Sequence, residues 1–136
     1  MNVTISKNFN LKEFVKSETA IKNNLVEQNR IPFFVIYNLF LLTISILQPL
    51  RNNVGRVVVT SGYRCFRLNK LIGGATNSQH LIGQAVDIIT SDNVTTANYI
   101  KTLTFDQLII YDTFIHVSYS ANNNRNQIID KQTSSV

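Results

Sequence analysis

The strongest constraint on how this chain folds is a run of 20 uncharged residues, Ile31–Leu50, lying between Arg30 and Arg51. Along it Ile36, Leu39, Phe40, Thr43, Ile46, Leu47 and Leu50 recur at helical spacing on one side, which predicts a helix with a face to bury. Pro32 suits the first turn and Pro49 the end, so the core helix is expected over about 33–48. A spanning helix needs roughly 20 apolar residues, and length alone meets that requirement. Asn38, Thr43, Ser45, Gln48 and the two prolines weigh against a span, and none is expected. A buried helix needs covering. With 44% hydrophobic and 15% charged residues among 136, the chain can build one core and does not have the composition of a disordered protein.

The remaining elements are short. Asn10 and Glu13 have the spacing of a capping box and open a helix carrying Phe14 and Val15. Lys22 to Arg30 reads as loop or an irregular helical turn. Arg56–Thr60 is a buried strand, and Phe66–Ile72 a helix stopped by Gly73-Gly74. Ala85–Ile89 is a second strand, and Ser91 caps a helix to about Leu103. A hairpin follows, Asp106–Ile110 and Phe114–Tyr119, turning at Tyr111-Asp112-Thr113. Gln127–Ile129 is a last short strand. Without regular strand–helix–strand alternation the class is α+β: a single domain over 1–130 with a small antiparallel sheet packed against helices, and a frayed tail over 131–136.

Charge and residue counts narrow the chemistry. One cysteine, Cys65, excludes a disulfide framework and a cysteine-cluster zinc site. Cys65 itself reads as a small buried hydrophobe. The net charge of +5 favours anionic surroundings such as cell-wall polymer or nucleic acid. No basic helix or aromatic platform points to nucleic acid, so no nucleic-acid partner is expected. The N-terminus shows no basic segment followed by an apolar run, so no signal peptide is expected.

The informative residues are His80 in a glycine-bounded loop, Asp87 inside an apolar strand and His116 inside another. A bare carboxylate is costly to bury and calls for a cation or a metal. Two imidazoles and a carboxylate make a three-ligand zinc site with a fourth position open for water. The same residue types also suit a core aspartate capped by backbone amides and two ordinary strand histidines, and the types alone leave both readings open.

The longer pattern Ser78-Gln79-His80-Leu81-Ile82-Gly83-Gln84-Ala85-Val86-Asp87 resembles the signature of the M15 zinc peptidases, the D-alanyl-D-alanine carboxypeptidase family. Ile5–Phe9 with Leu11–Phe14, Leu47–Arg51, Thr60–Arg64 with Leu68-Asn69, and Phe105–Ile109 are similar to other family segments, in the expected order. The resemblance covers nearly the whole chain and is greatest to a small subgroup common in bacteriophages. It implies a fold of the hedgehog/DD-peptidase type and Zn2+ bound by His80, Asp87 and His116. It also implies that Arg64 faces the substrate, where its fork of donors suits a carboxylate or an oxyanion. Ser78 and Gln84 would shape the loop around the metal.

One departure stands out. Many relatives carry an acidic general base three positions before the last zinc histidine, and here that position is Thr113. Asp112 at the hairpin tip is the first alternative and Asp106 the second. Asp106, Leu108 and Ile110 share one face of an ideal strand, while Gln107, Ile109 and Tyr111 share the other, and the pattern does not say which face meets the metal. Tyr111 is a further candidate, as a donor to the oxyanion.

The expected function is a zinc peptidase, D,D or L,D, that hydrolyses peptidoglycan peptides as a phage lysis enzyme. It is expected to be a monomer, held in the cytoplasm of a bacterial host before lysis and acting on the wall or periplasm, or carried on the virion. The rival is a zinc-stabilised wall-binding module without turnover, which Thr113 favours.

Overall fold

The computed structural model describes residues 3–133. Residues 134–136 of the tail expected to fray lie outside them. The core helix forms, but it is longer than expected. An α-helical stretch, α3 (Phe33–Leu42), runs through a π-helical turn (Thr43–Leu47) into α4 (Gln48–Val54). Pro49 therefore sits inside the helix rather than at its end. A proline ring normally clashes with the carbonyl four residues earlier, and the wide π-turn directly ahead of Pro49 relieves that clash. The Gln48 N–H reaches back five residues to the Thr43 carbonyl, and Thr43 Oγ1 bonds the Leu39 carbonyl.

The inward side of this helix is the centre of the core. Val35, Leu39, Leu42, Thr43, Ile46, Leu47 and Leu50 are fully buried. Phe33, Phe34, Tyr37, Phe40 and Ile44 are exposed on the outer side. Spanning 22 residues with mean hydropathy 1.9, the helix is long and apolar enough to cross a membrane by length and composition. Its buried side packs on the N-terminal strand, on α6 (Asn93–Ile100) and on the turn that carries His80.

Around the helix the fold is α+β. A two-stranded ribbon, β1 (Thr4–Ser6) and β2 (Phe9–Asn10), leads into α1 (Leu11–Val15). The capping box forms: the Asn10 side chain accepts from Lys12 N, and Glu13 accepts from Asn10 N. Then come α2 (Glu18–Lys22) and a 3-10 turn at Val26–Asn29. The main sheet joins β3 (Val58–Ser61), β4 (Ala85–Ile89), β5 (Gln107–Ile110), β6 (Ile115–Ser118) and β7 (Gln127–Asp130) in the order β3-β4-β6-β5-β7. All pairs are antiparallel except β5 with β7. Helix α5 (Phe66–Leu71) follows β3. Helix α6 is capped by Asp92 rather than Ser91 and ends at Ile100. The Asp92 carboxylate accepts from Val94 N, Thr95 N and Thr95 Oγ1, which a single hydroxyl cannot match.

The two faces of the sheet differ. Val86, Ile88, Leu108, Ile110, Ile115 and Val117 point into the core. Asp87, Ile109 and His116 occupy the alternate positions and face outward. Leu39→Ala is expected to lower stability by about 2–5 kcal/mol, because it empties a fully buried site in the core beside the turn that carries His80. Urea unfolding followed by circular dichroism checks it.

Candidate metal centre

The sheet itself brings two of the three proposed ligands together. In the β4–β6 register Asp87 lies directly opposite His116. His116 Nδ1 is 2.9 Å from Asp87 Oδ1. The third residue comes from a 3-10 turn, Gln79–Ile82, just before β4. Ser78 caps that turn by accepting from His80 N, and Gly83 ends it at a φ of 76°. A Cβ on Gly83 would press on Val35 of the core helix, so the turn is seated on α3. His80 is buried, and its Nδ1–H donates to the Gly62 carbonyl at 2.7 Å. That bond leaves Nε2 as the ring nitrogen turned to the cluster, 3.5 Å from Asp87 Oδ1.

One donor atom from each of His80, Asp87 and His116 falls within a 4.8 Å cluster. Tetrahedral zinc with bonds of about 2.0–2.1 Å sets neighbouring donors roughly 3.3 Å apart, and the observed 2.9 and 3.5 Å bracket that spacing. Borderline nitrogen donors with one carboxylate are also the chemistry zinc prefers. The residues therefore fit the ion. Burial pushes the Asp87 carboxyl up, but hydrogen bonds and charge from His116 and His80 outweigh it and hold the group well below the usual carboxylate range. Asp87 thus stays anionic, as a metal ligand must.

Arg64 stands beside the cluster. Its Nη2 is 3.7 Å from Asp87 Oδ2, Nε donates to Ser61 Oγ and Nη1 to Asn69 Oδ1. A register irregularity in β3 between Val59 and Ser61 sets Ser61 opposite Asp87, which brings this arginine's anchor to the metal side. Partial burial draws the Arg64 pKa down and the nearby Asp87 opposes that shift.

The supports behind Arg64 carried no sequence signal. Gln28, in the segment read as an irregular turn, is buried. Its Nε2 donates to the Val15 and Tyr63 carbonyls, and its Oε1 accepts from Cys65 N. One amide therefore holds the residues on both sides of Arg64. Gly62 lies flat against the Phe14 backbone, where a Cβ would overlap the carbonyl that accepts from Tyr63 N. Asn69 accepts from Arg64 and donates to the Ala75 carbonyl, so the Gly73-Gly74 stop also braces the arginine.

These residues open onto a cavity of about 470 Å³. Arg64, His80, Asp87 and His116 line it together with Gln107, Ile109, Tyr111 and Arg125. The Gln107–Ile109–Tyr111 face of β5 is thus the one that meets the cluster. Neither alternative base lines the cavity. Asp106 has the parity of the core-facing residues and is buried, gripped by Arg125 and Gln79, which bring its pKa down to about 2 against burial. Asp112 turns away to Thr133, accepting from its N and Oγ1, and these bonds lower its pKa. Tyr111 lines the cavity stacked on Phe114 at 4.3 Å. Gln84 Oε1 accepts from Gln79 Nε2, and Cys65 is buried. Arg125 carried no sequence signal as a site residue; it lines the same cavity, held by Asp106, which also takes a bond from Gln79 beside His80.

An α+β domain with two imidazoles and a carboxylate on the wall of an open cavity has the make-up of a mononuclear metallohydrolase. The family model for Peptidase M15 matches residues 7–118, and the chain belongs to that family of metallopeptidases. Peptidases of this family are zinc-dependent and act on peptide substrates. No curated protein matches the chain.

Zinc measured by mass spectrometry on dialysed protein is expected at one ion per chain, falling well below that in His80→Ala and His116→Ala. Acid should also act through Asp106. Its folded pKa of about 2 lies below the ordinary 3.8, so its contribution is complete above about pH 4 and is lost as pH falls toward 2. The stability gap between wild type and Asp106→Asn is expected to shrink by roughly 2 kcal/mol from about pH 5 to about pH 2, read from urea midpoints.

Proposed function

We propose that this chain is a zinc peptidase that hydrolyses peptide bonds of bacterial peptidoglycan, either D,D or L,D, as a phage lysis enzyme. The observation that carries this reading is the convergence of His80, Asp87 and His116 on the wall of an open cavity, with Arg64 at the same wall. Zinc bound there would polarise a scissile carbonyl and bring the pKa of water toward neutrality. The residues supply the rest. The His80 bond to Gly62 keeps its tautomer and ring plane in place. Arg64, tied by Ser61 and Asn69, offers its remaining N–H groups to negative charge developing on the carbonyl oxygen. Tyr111, stacked on Phe114, lines the same cavity. The net charge of +5 favours approach to an anionic wall. In this reading the protein waits in the host cytoplasm, or on the virion, until the wall is reached.

A second reading, a wall-binding module without turnover, is favoured by one observation. Among the described residues Asp87 is the single carboxylate lining the cavity, so no second carboxylate stands ready as a base beside the candidate ligands.

Purified peptidoglycan incubated with zinc-loaded protein separates the two. New peptide termini by mass spectrometry, lost in His80→Ala, are the expected result and identify the bond cut. Binding to the wall without new termini, at full zinc occupancy, would establish the module instead.

A further inference from the structure

We propose that Arg125 selects the substrate of this site by binding a free carboxylate of the peptide, an inference that rests on the peptidase reading above. Arg125 lies in the segment between β6 and β7, beyond the residues that match the family model. One edge of its guanidinium is spent on Asp106: Nε donates to Oδ1 at 2.9 Å and Nη2 to Oδ2 at 3.0 Å. Its backbone N–H also donates to Oδ1, at 3.0 Å. Asp106 is 4% exposed and takes a further bond from Gln79 Nε2, at 2.8 Å, next to the ligand His80. The arginine is therefore anchored from behind by a buried carboxylate coupled to the metal-binding turn.

The other edge is available. The Arg125 side chain is 51% exposed and lines the cavity, and among the described residues its Nη1 makes no protein hydrogen bond. Arg64 differs, since all three of its guanidinium nitrogens face protein partners, one of them the ligand Asp87. The cavity thus holds two cations with different partners, and among the described residues its single carboxylate, Asp87, belongs to the ligand cluster. An entering carboxylate meets a preoriented fork of donors, and little side-chain freedom remains to be lost on binding. Stem peptides with lysine at the third position, the kind used as probes below, offer two such groups, the C-terminal carboxylate and the free carboxylate of the glutamyl residue.

The test is binding of fluorescently labelled stem pentapeptides to the full-length, zinc-loaded protein by stopped-flow anisotropy, which reads association ahead of hydrolysis. Three probes are used: the peptide with both carboxylates free, and its two monoamides. Wild type is expected to bind the free peptide about tenfold to a hundredfold more tightly than one monoamide, and that monoamide identifies the carboxylate recognised. Arg125→Gln is expected to erase the discrimination, and Arg125→Lys to restore part of it. Because Arg125→Gln leaves Asp106 buried without its cation, the double variant Asp106→Asn/Arg125→Gln, which leaves neither charge, keeps the measurement possible if the single variant unfolds. Equal affinity of wild type for all three probes, no affinity for any, or discrimination that survives in the variants overturns the proposal. Turnover recorded on the same samples separates the two readings. Discrimination without turnover upholds Arg125 and removes the hydrolase, and turnover without discrimination does the reverse.

Discussion

A carboxylate set in a β-sheet between two imidazoles and a guanidinium is the interaction around which this molecule is arranged. Asp87 is mostly withdrawn from water, and a charge in that position costs several kcal/mol unless it is matched. His116 matches it across the β4–β6 register, His80 from the preceding turn and Arg64 from the β3–α5 connection. Each of these needs a separate backbone device to arrive: an antiparallel pairing, a capped 3-10 turn and an irregular strand end. The same arrangement that makes the carboxylate tolerable makes it a metal ligand. A multivalent cation at the three donors neutralises the charge more completely than the imidazoles can.

The support for the cluster comes from the opposite side of the sheet and from buried amides. The outward face carries Asp87 and His116 because the inward face is filled by aliphatic side chains packed over the long helix. The strand period then leaves the polar positions no other side to occupy. Gln28 and Asn69 hold the loops flanking Arg64 through backbone carbonyls and N–H groups, which locks the loops without adding charge. On the other flank the Asp106–Arg125 pair closes the wall and ties the segment leading to β7 onto the turn bearing His80. The matched residues of the family model take in all three candidate ligands, while the Arg125 flank lies outside them.

Much of this was legible in the chain. The helical period of Ile31–Leu50 marked the core helix, the Asn10–Glu13 spacing marked the capping box of α1, and an acid inside an apolar strand marked Asp87 as a residue needing a partner. Local chemistry sufficed in those cases, because caps and periodicity act within a few residues. Helix limits were less legible. Pro49 stopped the helix on paper, yet a π-turn carries it to Val54, and Asp92 displaced Ser91 as a cap by offering two acceptor oxygens instead of one.

The sequence by itself determined the class of fold, the candidate ligands and the family they belong to, because residue type, spacing and alternation constrain each of these locally. Tertiary structure alone decided which face of β5 meets the cluster, since alternation defines two faces and only packing against the helix says which is buried. It also decided that Asp106 and Asp112 have other partners, and that Gln28 and Arg125 serve the site. Those residues lie far from their partners along the chain, and their hydrogen bonds exist only once the sheet and the helix have come together.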